Sequence, residues 1–207
     1  MLRRAAAPGY ERRLRHKLDK LQLPVLPRVR VSRIQAVLKR LPRLVPPRVI
    51  AAVIRTLYKG WTTRRRFQQE GPCCFGCRLG EDSEQHYAGC PRVQAFATRR
   101  MRLRPEEEPR NRTTSFLLLD SASLLPDDTL TKRALVTAAA YRAHCKLRRL
   151  SPLRSEEEAL RALEQAAKDA AAGHRNAMRV LDGRWVQAAR IPDDSAPLPP
   201  PPRPPQT

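Results

Sequence analysis

Cys73-Cys74-Phe75-Gly76-Cys77-Arg78-Leu79-Gly80-Glu81-Asp82-Ser83-Glu84-Gln85-His86-Tyr87-Ala88-Gly89-Cys90 is the stretch around which the rest of the chain is read. Within it Cys74, Cys77, His86 and Cys90 have the spacing C-x2-C-x8-H-x3-C, which offers one tetrahedral ion three thiolates and an imidazole. The C-x2-C turn, tightened by Gly76, brings two sulfurs onto one ion, and His86 and Cys90, four apart, close the other side from one face of a helical turn. Eight residues separate the half-sites, too few for a core, so the expectation is a compact knuckle in which the metal replaces one. Ion binding in such modules supplies folding free energy on the order of 10 kcal/mol at neutral pH. Four protein ligands leave no open position, so the expected zinc ion is structural and not catalytic. Cys73 and Cys77 form a competing C-x3-C pair; Cys74 is preferred, with Cys73 as a spare thiol.

Outward from the knuckle the chain reads as mainly α: short amphipathic helices, the small CCHC zinc knuckle, then a helical hairpin and a disordered Pro-rich tail. Its 207 residues suit one or two small domains, and 5% aromatics with 20 prolines limit the core. The segments are a basic helical N-terminal part (1–47), a helix plus knuckle (48–105), a linker (106–125), the hairpin (126–191) and the tail (192–207). Tyr10, Leu14, Leu18 and Leu21 lie at helical spacing, with Pro24 and Pro27 ending that helix. Ser32 and Gln35 form a capping box before Ile34, Val37, Leu38 and Leu41, and Pro42 is expected to stop the helix. Pro47 suits a first helical position, with Gly60 as the exit. Pro91 opens a helix carrying Val93, Ala97 and Met101. The acidic run Glu106–Glu108 reads as linker, and Phe116–Leu119 is too short an apolar run to assign. Pro126-Asp127-Asp128 caps a helix to about Leu150 with Leu130, Ala134, Ala138, Tyr141 and Cys145 as its stripe, leaving Cys145 as a core thiol and His144 as a surface histidine. Ser155 with Glu158 caps the second arm, whose apolar face runs to Leu181 with a break at Gly173.

Charge is uneven along the chain. Of the formal net charge of +21, residues 1–70 carry nineteen Lys and Arg against three acids, an electrostatic footprint for phosphate or anionic lipid. Trp61, Arg64, Arg65, Arg66 and Phe67 form the best nucleic-acid contact candidate: guanidinium groups pair with phosphate bidentately, and Trp and Phe stack on unpaired bases. In the competing arrangement, Trp61 and Phe67 pack under the knuckle and only the arginines face solvent. With three of five cysteines placed on the ion, Cys73 a spare thiol beside them and Cys145 alone on a helix, a disulfide framework is not expected, and the expected compartment is a reducing one, nuclear or cytoplasmic. The start, Met1–Ala7, imitates an organellar transit peptide, but Glu11 and Asp19 weigh against it. No apolar run reaches the eighteen or so residues that span a membrane. The tail offers a ligand for a proline-recognising domain.

Trp61, Thr63 and Arg64–Arg66, then Cys74-x2-Cys77, the acids Glu81, Asp82 and Glu84, His86, Cys90-Pro91 and Phe96 resemble the zinc-binding segment that follows the reverse transcriptase in LINE-type (non-LTR) retrotransposon polyproteins. That family's pattern is roughly C-x2-C, seven or eight residues, H-x4-C, then Pro and a nearby aromatic; this chain has three residues between His86 and Cys90. The resemblance covers about residues 48–105. It implies a segment that binds template RNA or target DNA, with the polymerase upstream.

Two classes of function compete on these residues. One is a non-catalytic, zinc-stabilised binder of RNA or DNA. The other is an enzyme, a restriction-like endonuclease remnant, which needs a strand-borne carboxylate cluster with a lysine; Pro126-Asp127 is the only loose candidate and begins a helix. A third class, a zinc-containing protein-interaction module, would leave the Arg64–Arg66 face buried or neutralised.

Overall fold

The computed structural model describes residues 9–19, 31–104, 109–119, 124–153 and 155–182. The Pro-rich tail, the Met1–Ala7 start, the Pro24 and Pro27 stops and the acidic run Glu106–Glu108 lie outside the described residues. The architecture is mainly helical: α1 (Tyr10–Asp19), α2 (Val31–Leu44), α3 (Pro47–Leu57), α4 (Glu84–Gly89), α5 (Pro91–Ala95), α6 (Pro109–Phe116), α7 (Asp127–Leu147), α8 (Glu156–Ala171) and α9 (Arg175–Leu181). Among the described residues there is no strand, only an isolated antiparallel bridge between Pro72 and Glu81.

Helix α7 is the central element. Leu130, Ala134, Leu135, Val136, Ala138, Ala139, Ala140 and Ala143 are buried around its whole circumference, as expected for a helix enclosed by others. Its many alanines let neighbours approach closely, and α8 packs along it, with α3 against another side. Helix α8 starts at the expected Ser155–Glu158 capping box, with both reciprocal bonds present, and buries Leu160, Leu163, Ala166, Ala167, Ala170 and Ala171. It ends before Gly173, whose φ of 73° makes the break, and His174 then caps α9 by accepting from the Ala177 N–H through Nδ1. Arg48 on α3 donates to the carbonyls of Ala170 and Ala172, so one helix's cation satisfies the orphan acceptors at the end of another.

Several local expectations are corrected. Helix α2 already includes Val31 and Ser32, so Ser32 is not its cap, and it runs through Pro42 to Leu44. Proline in the last turn forfeits one hydrogen bond, and burial of Leu41, Leu44 and Val45 on either side keeps the helix intact. At the end of α3 the left-handed residue is Lys59 (φ 53°), before the expected exit at Gly60. The segment read as a linker contains α6, and Phe116–Leu119 are buried, with Thr137 Oγ1 donating to the Phe116 carbonyl at 2.5 Å. The knuckle does not lack a core either: Trp61, Phe75, Tyr87 and Phe96 are fully buried and belong to the same hydrophobic cluster as α7 and α8. No helix among the described residues is long and apolar enough to cross a membrane.

Candidate metal centre and the arginine turn beside it

The centre is assembled from a loop and two helix ends. The Pro72–Glu81 bridge, the Cys73 N–H donating to the Gly80 carbonyl at 3.1 Å and the Asp82 N–H to the Gly71 carbonyl at 3.0 Å fold residues 71–82 back on themselves. The turn passes through Gly76, at φ 68°; a Cβ there would sit 1.6 Å from the Leu153 carbonyl oxygen, so the loop docks directly onto the α7–α8 connection. The Leu153 N–H donates to the Cys74 carbonyl in the same contact. Ser83 then caps α4 by accepting from the His86 N–H, placing His86 in the first turn of α4 and Cys90 at the joint between α4 and α5.

Cys73, Cys77, His86 and Cys90 converge: their ligand atoms all lie within 4.8 Å of one another. Cys73 Sγ is 3.8 Å from Cys90 Sγ, and Cys77 Sγ is 3.1 Å from His86 Nε2. His86 Nδ1 faces Gly80, where a Cβ would come within 2.2 Å, so the ring is held edge-on by a position only glycine leaves open. Cys73 and Cys90 are fully buried, whereas Cys77 and His86 are half-buried.

The cluster corrects the fourth ligand. Cys74 is not in it; Cys73 is. Neighbouring residues in an extended bridge point to opposite sides, so the backbone pairing that turns Cys73 toward Cys90 turns Cys74 toward Tyr87, whose hydroxyl lies 3.3 Å from Cys74 Sγ. The chelating pair at the loop is therefore C-x3-C, with Gly76 inside it.

Behind the cluster lies a buried polar network. The Tyr87 hydroxyl donates to Asp82 Oδ1 at 2.7 Å, His144 Nε2 lies 3.0 Å from the same oxygen, and Asp82 Oδ2 accepts from the Arg64 N–H at 2.9 Å. Glu84 Oε1 accepts from the Trp61 N–H at 2.7 Å, while its Oε2 has no hydrogen-bond partner. Burial raises the Glu84 carboxyl to about 7, with the Trp61 N–H working the other way. Trp61 stacks on Tyr87 with ring centroids 5.3 Å apart, lies against Tyr141 and His144, and donates its indole N–H to Thr56. His144 is thus the core residue and Cys145 the exposed one, the reverse of the sequence expectation. The signal that could have placed it is the seven-residue spacing Leu130, Thr137, His144, all buried on α7.

Asp82 and Glu84 fasten the Trp61–Phe67 segment to the loop, and this decides what the segment can touch. Trp61 is 0% exposed, so it is unable to stack on a base; Phe67 is 57% exposed at the end of a short 3-10 turn, Arg65–Phe67. Arg64 is half-buried, Arg65 pairs with Glu81, and Arg66 donates to the Trp61 carbonyl at 3.1 Å while staying exposed. Of the expected contact residues, Arg65, Arg66 and Phe67 share an accessible surface and Trp61 does not.

Compared with known proteins, the chain matches no family model, no curated protein and no solved structure. The chemistry of the centre follows from its donor set. The hydrogen bond with Cys90 and then burial push the Cys73 thiol up to about 12, and burial raises Cys77. Neutral thiols at this density have no charge to lose to a neighbour, and a divalent cation is what makes their deprotonation favourable.

Proposed function

We propose that the chain is a non-catalytic nucleic-acid-binding segment whose fold is held by a structural zinc ion on Cys73, Cys77, His86 and Cys90, related to the post-polymerase region of LINE-type elements. The donor set fits zinc: three thiolates and one imidazole complete a tetrahedron, and metal–sulfur bonds of about 2.3 Å place sulfurs about 3.8 Å apart, the Cys73–Cys90 separation. Closing four positions with protein ligands leaves the ion a folding role.

The observation that carries the binding half is an excess of positive charge on the first three helices. Between Asp19 and Glu70 there is no acidic residue and there are thirteen Lys and Arg; α2 exposes Lys39 and Arg43, and α1, which packs on α2 and α3, adds the exposed Arg12, Arg13 and Arg15 against its own Glu11 and Asp19. An excess of charge of one sign attracts a polyanion and releases its counterions. With Trp61 buried, contact is to phosphate more than to bases, and little sequence preference is expected.

A second reading, a protein-interaction module, is favoured by the pairing of Arg65 with Glu81 and the use of Arg66 on a backbone carbonyl. The two part company in one experiment: fluorescence anisotropy of single-stranded RNA and DNA with the zinc-loaded chain across a salt series, with Arg12→Gln/Arg13→Gln/Lys39→Gln/Arg43→Gln and Arg64→Gln/Arg65→Gln/Arg66→Gln variants. Nucleic-acid binding predicts affinity that falls steeply with salt and a slope reduced by roughly one per phosphate contact removed. Absence of binding at low salt, or affinity unchanged in both variants, would leave the interaction module.

A further inference from the structure

We propose that Cys77 is a site of reversible oxidation by peroxides, with Cys73 or Cys90 closing a disulfide onto it and the metal centre opening as a result. The proposal rests on the metal assignment above and adds a chemistry of the sulfurs. The three sulfurs of the centre differ in what can reach them. Cys73 and Cys90 are 0% exposed, whereas Cys77 is partly exposed. It lies on the turn that carries Leu79, which is 76% exposed and whose N–H donates to Cys77 Sγ at 3.5 Å. A thiolate held on a divalent cation is ionised at neutral pH, and ionised sulfur attacks peroxide wherever solvent delivers it. Access therefore selects Cys77. Its sulfur attacks one peroxide oxygen: the sulfur–oxygen bond forms, the oxygen–oxygen bond breaks, and the second oxygen leaves as hydroxide. A sulfenic acid goes on to irreversible acids unless a second thiol is close by. Here two are, since the sulfurs of Cys73 and Cys90 lie within 4.8 Å of Cys77 Sγ. Attack by either thiolate forms the disulfide and expels the oxygen as a second hydroxide, so two thiolates lose two electrons and the peroxide gains them. Cys74 takes no part, because its sulfur is turned to the Tyr87 hydroxyl at 3.3 Å. The disulfide leaves one thiolate and one imidazole where a closed site has four donors, and a thiol reductant restores the set.

The test treats the full zinc-loaded chain with hydrogen peroxide in a Cys145→Ser background, so that the exposed thiol of α7 does not enter the count. Zinc release is followed with a chromogenic chelator, remaining thiols are counted, sulfenic acid is trapped with dimedone, and peptide mass spectrometry locates the label and the disulfide. The expected result is first labelling at Cys77, one zinc released for each pair of thiols lost, a disulfide joining Cys77 to Cys73 or Cys90, and zinc binding recovered with dithiothreitol and added zinc. Cys74→Ser, which removes a sulfur outside the centre, should behave in the same way. First labelling at Cys73 or Cys90, a disulfide that omits Cys77, sulfinic acid without a disulfide, or loss of the response in Cys74→Ser would overturn the proposal. So would thiols left intact at a peroxide dose that fully oxidises Cys145 in the parent chain. Native mass spectrometry of the untreated chain separates the two claims: a chain without zinc removes the metal assignment and this proposal together, whereas a loaded chain that resists oxidation removes this proposal alone.

Discussion

Asp82 is the residue on which the site's buried polarity turns, since one carboxylate holds Tyr87, His144 and the Arg64 backbone. Burial works against its charge, yet the bonds from His144, the Arg64 N–H and Tyr87 prevail and hold it below the ordinary carboxylate value; His144 is likewise penalised by burial but raised on balance by Asp82. A lowered acid stabilises the fold above its ordinary value near 3.8 and loses this as pH falls through the lowered one. A raised imidazole stabilises below its ordinary value near 6.5 and loses this as pH rises through the raised one. The stability difference between the native chain and His144→Gln is therefore expected to be largest between about pH 4 and 6.5 and to shrink above, as measured by urea unfolding at fixed zinc; a difference that widens above pH 7 would contradict the pairing. Tyr87→Phe strips Asp82 of one donor and should cost about 1–3 kcal/mol in the same assay. Neither residue could be ranked from the sequence, because His144 and Asp82 are sixty-two positions apart and adjacency to Cys145 gives no hint of which of the two faces inward. The choice of Cys73 over Cys74 was equally hidden, being made by a backbone bridge to Glu81 that no ligand spacing reveals.

Helix starts were the most legible elements, because their signals are local: Pro47, Pro91 and Ser155 with Glu158 each stand at the first turn they announce. Helix α6 was not legible, since its one large apolar residue, Phe116, stands at its last position and the buried run Leu117–Leu119 follows the helix. The same distinction sets the cost of mutations. Ser155→Ala removes a cap that solvent partly replaces and should cost about 1 kcal/mol. Gly76→Ala meets both a left-handed backbone and the Leu153 carbonyl at 1.6 Å, so it should cost more than the cap, about 1–3 kcal/mol from the backbone conformation alone before the loop is displaced, and weaken metal retention besides. Thermal unfolding of the two variants side by side checks the order; Ser155→Ala as the more damaging change would mean that the loop does not dock on the α7–α8 connection. Ion pairs of Arg92 with Glu156 and of Arg100 with Glu157 tie α5 and the turn after it to the start of α8; the exposed Arg100–Glu157 pair contributes little, while the Arg92–Glu156 pair is partly buried.

For the whole molecule, the cluster is not an appendage. Phe75, Tyr87 and Trp61, which surround it, share one hydrophobic core with the hairpin, so chelation of the ion is expected to lower the thermal midpoint of the entire helical signal in a single transition; a helical midpoint unmoved by chelator would mean that the knuckle and hairpin fold apart. The mainly helical class and the presence of a Cys/His centre were legible from periodicity and spacing, while the shared core was not, because it joins Trp61 and Tyr87 to His144 on a distant helix. Whether Cys73, Cys77, His86 and Cys90 meet on one ion is tested most directly by native mass spectrometry of the full chain with its Cys73→Ser and Cys74→Ser variants. One zinc per chain in the parent and in Cys74→Ser, with loss of the ion in Cys73→Ser, is the predicted result; a bare polypeptide in the parent, or loss in Cys74→Ser with retention in Cys73→Ser, would contradict it.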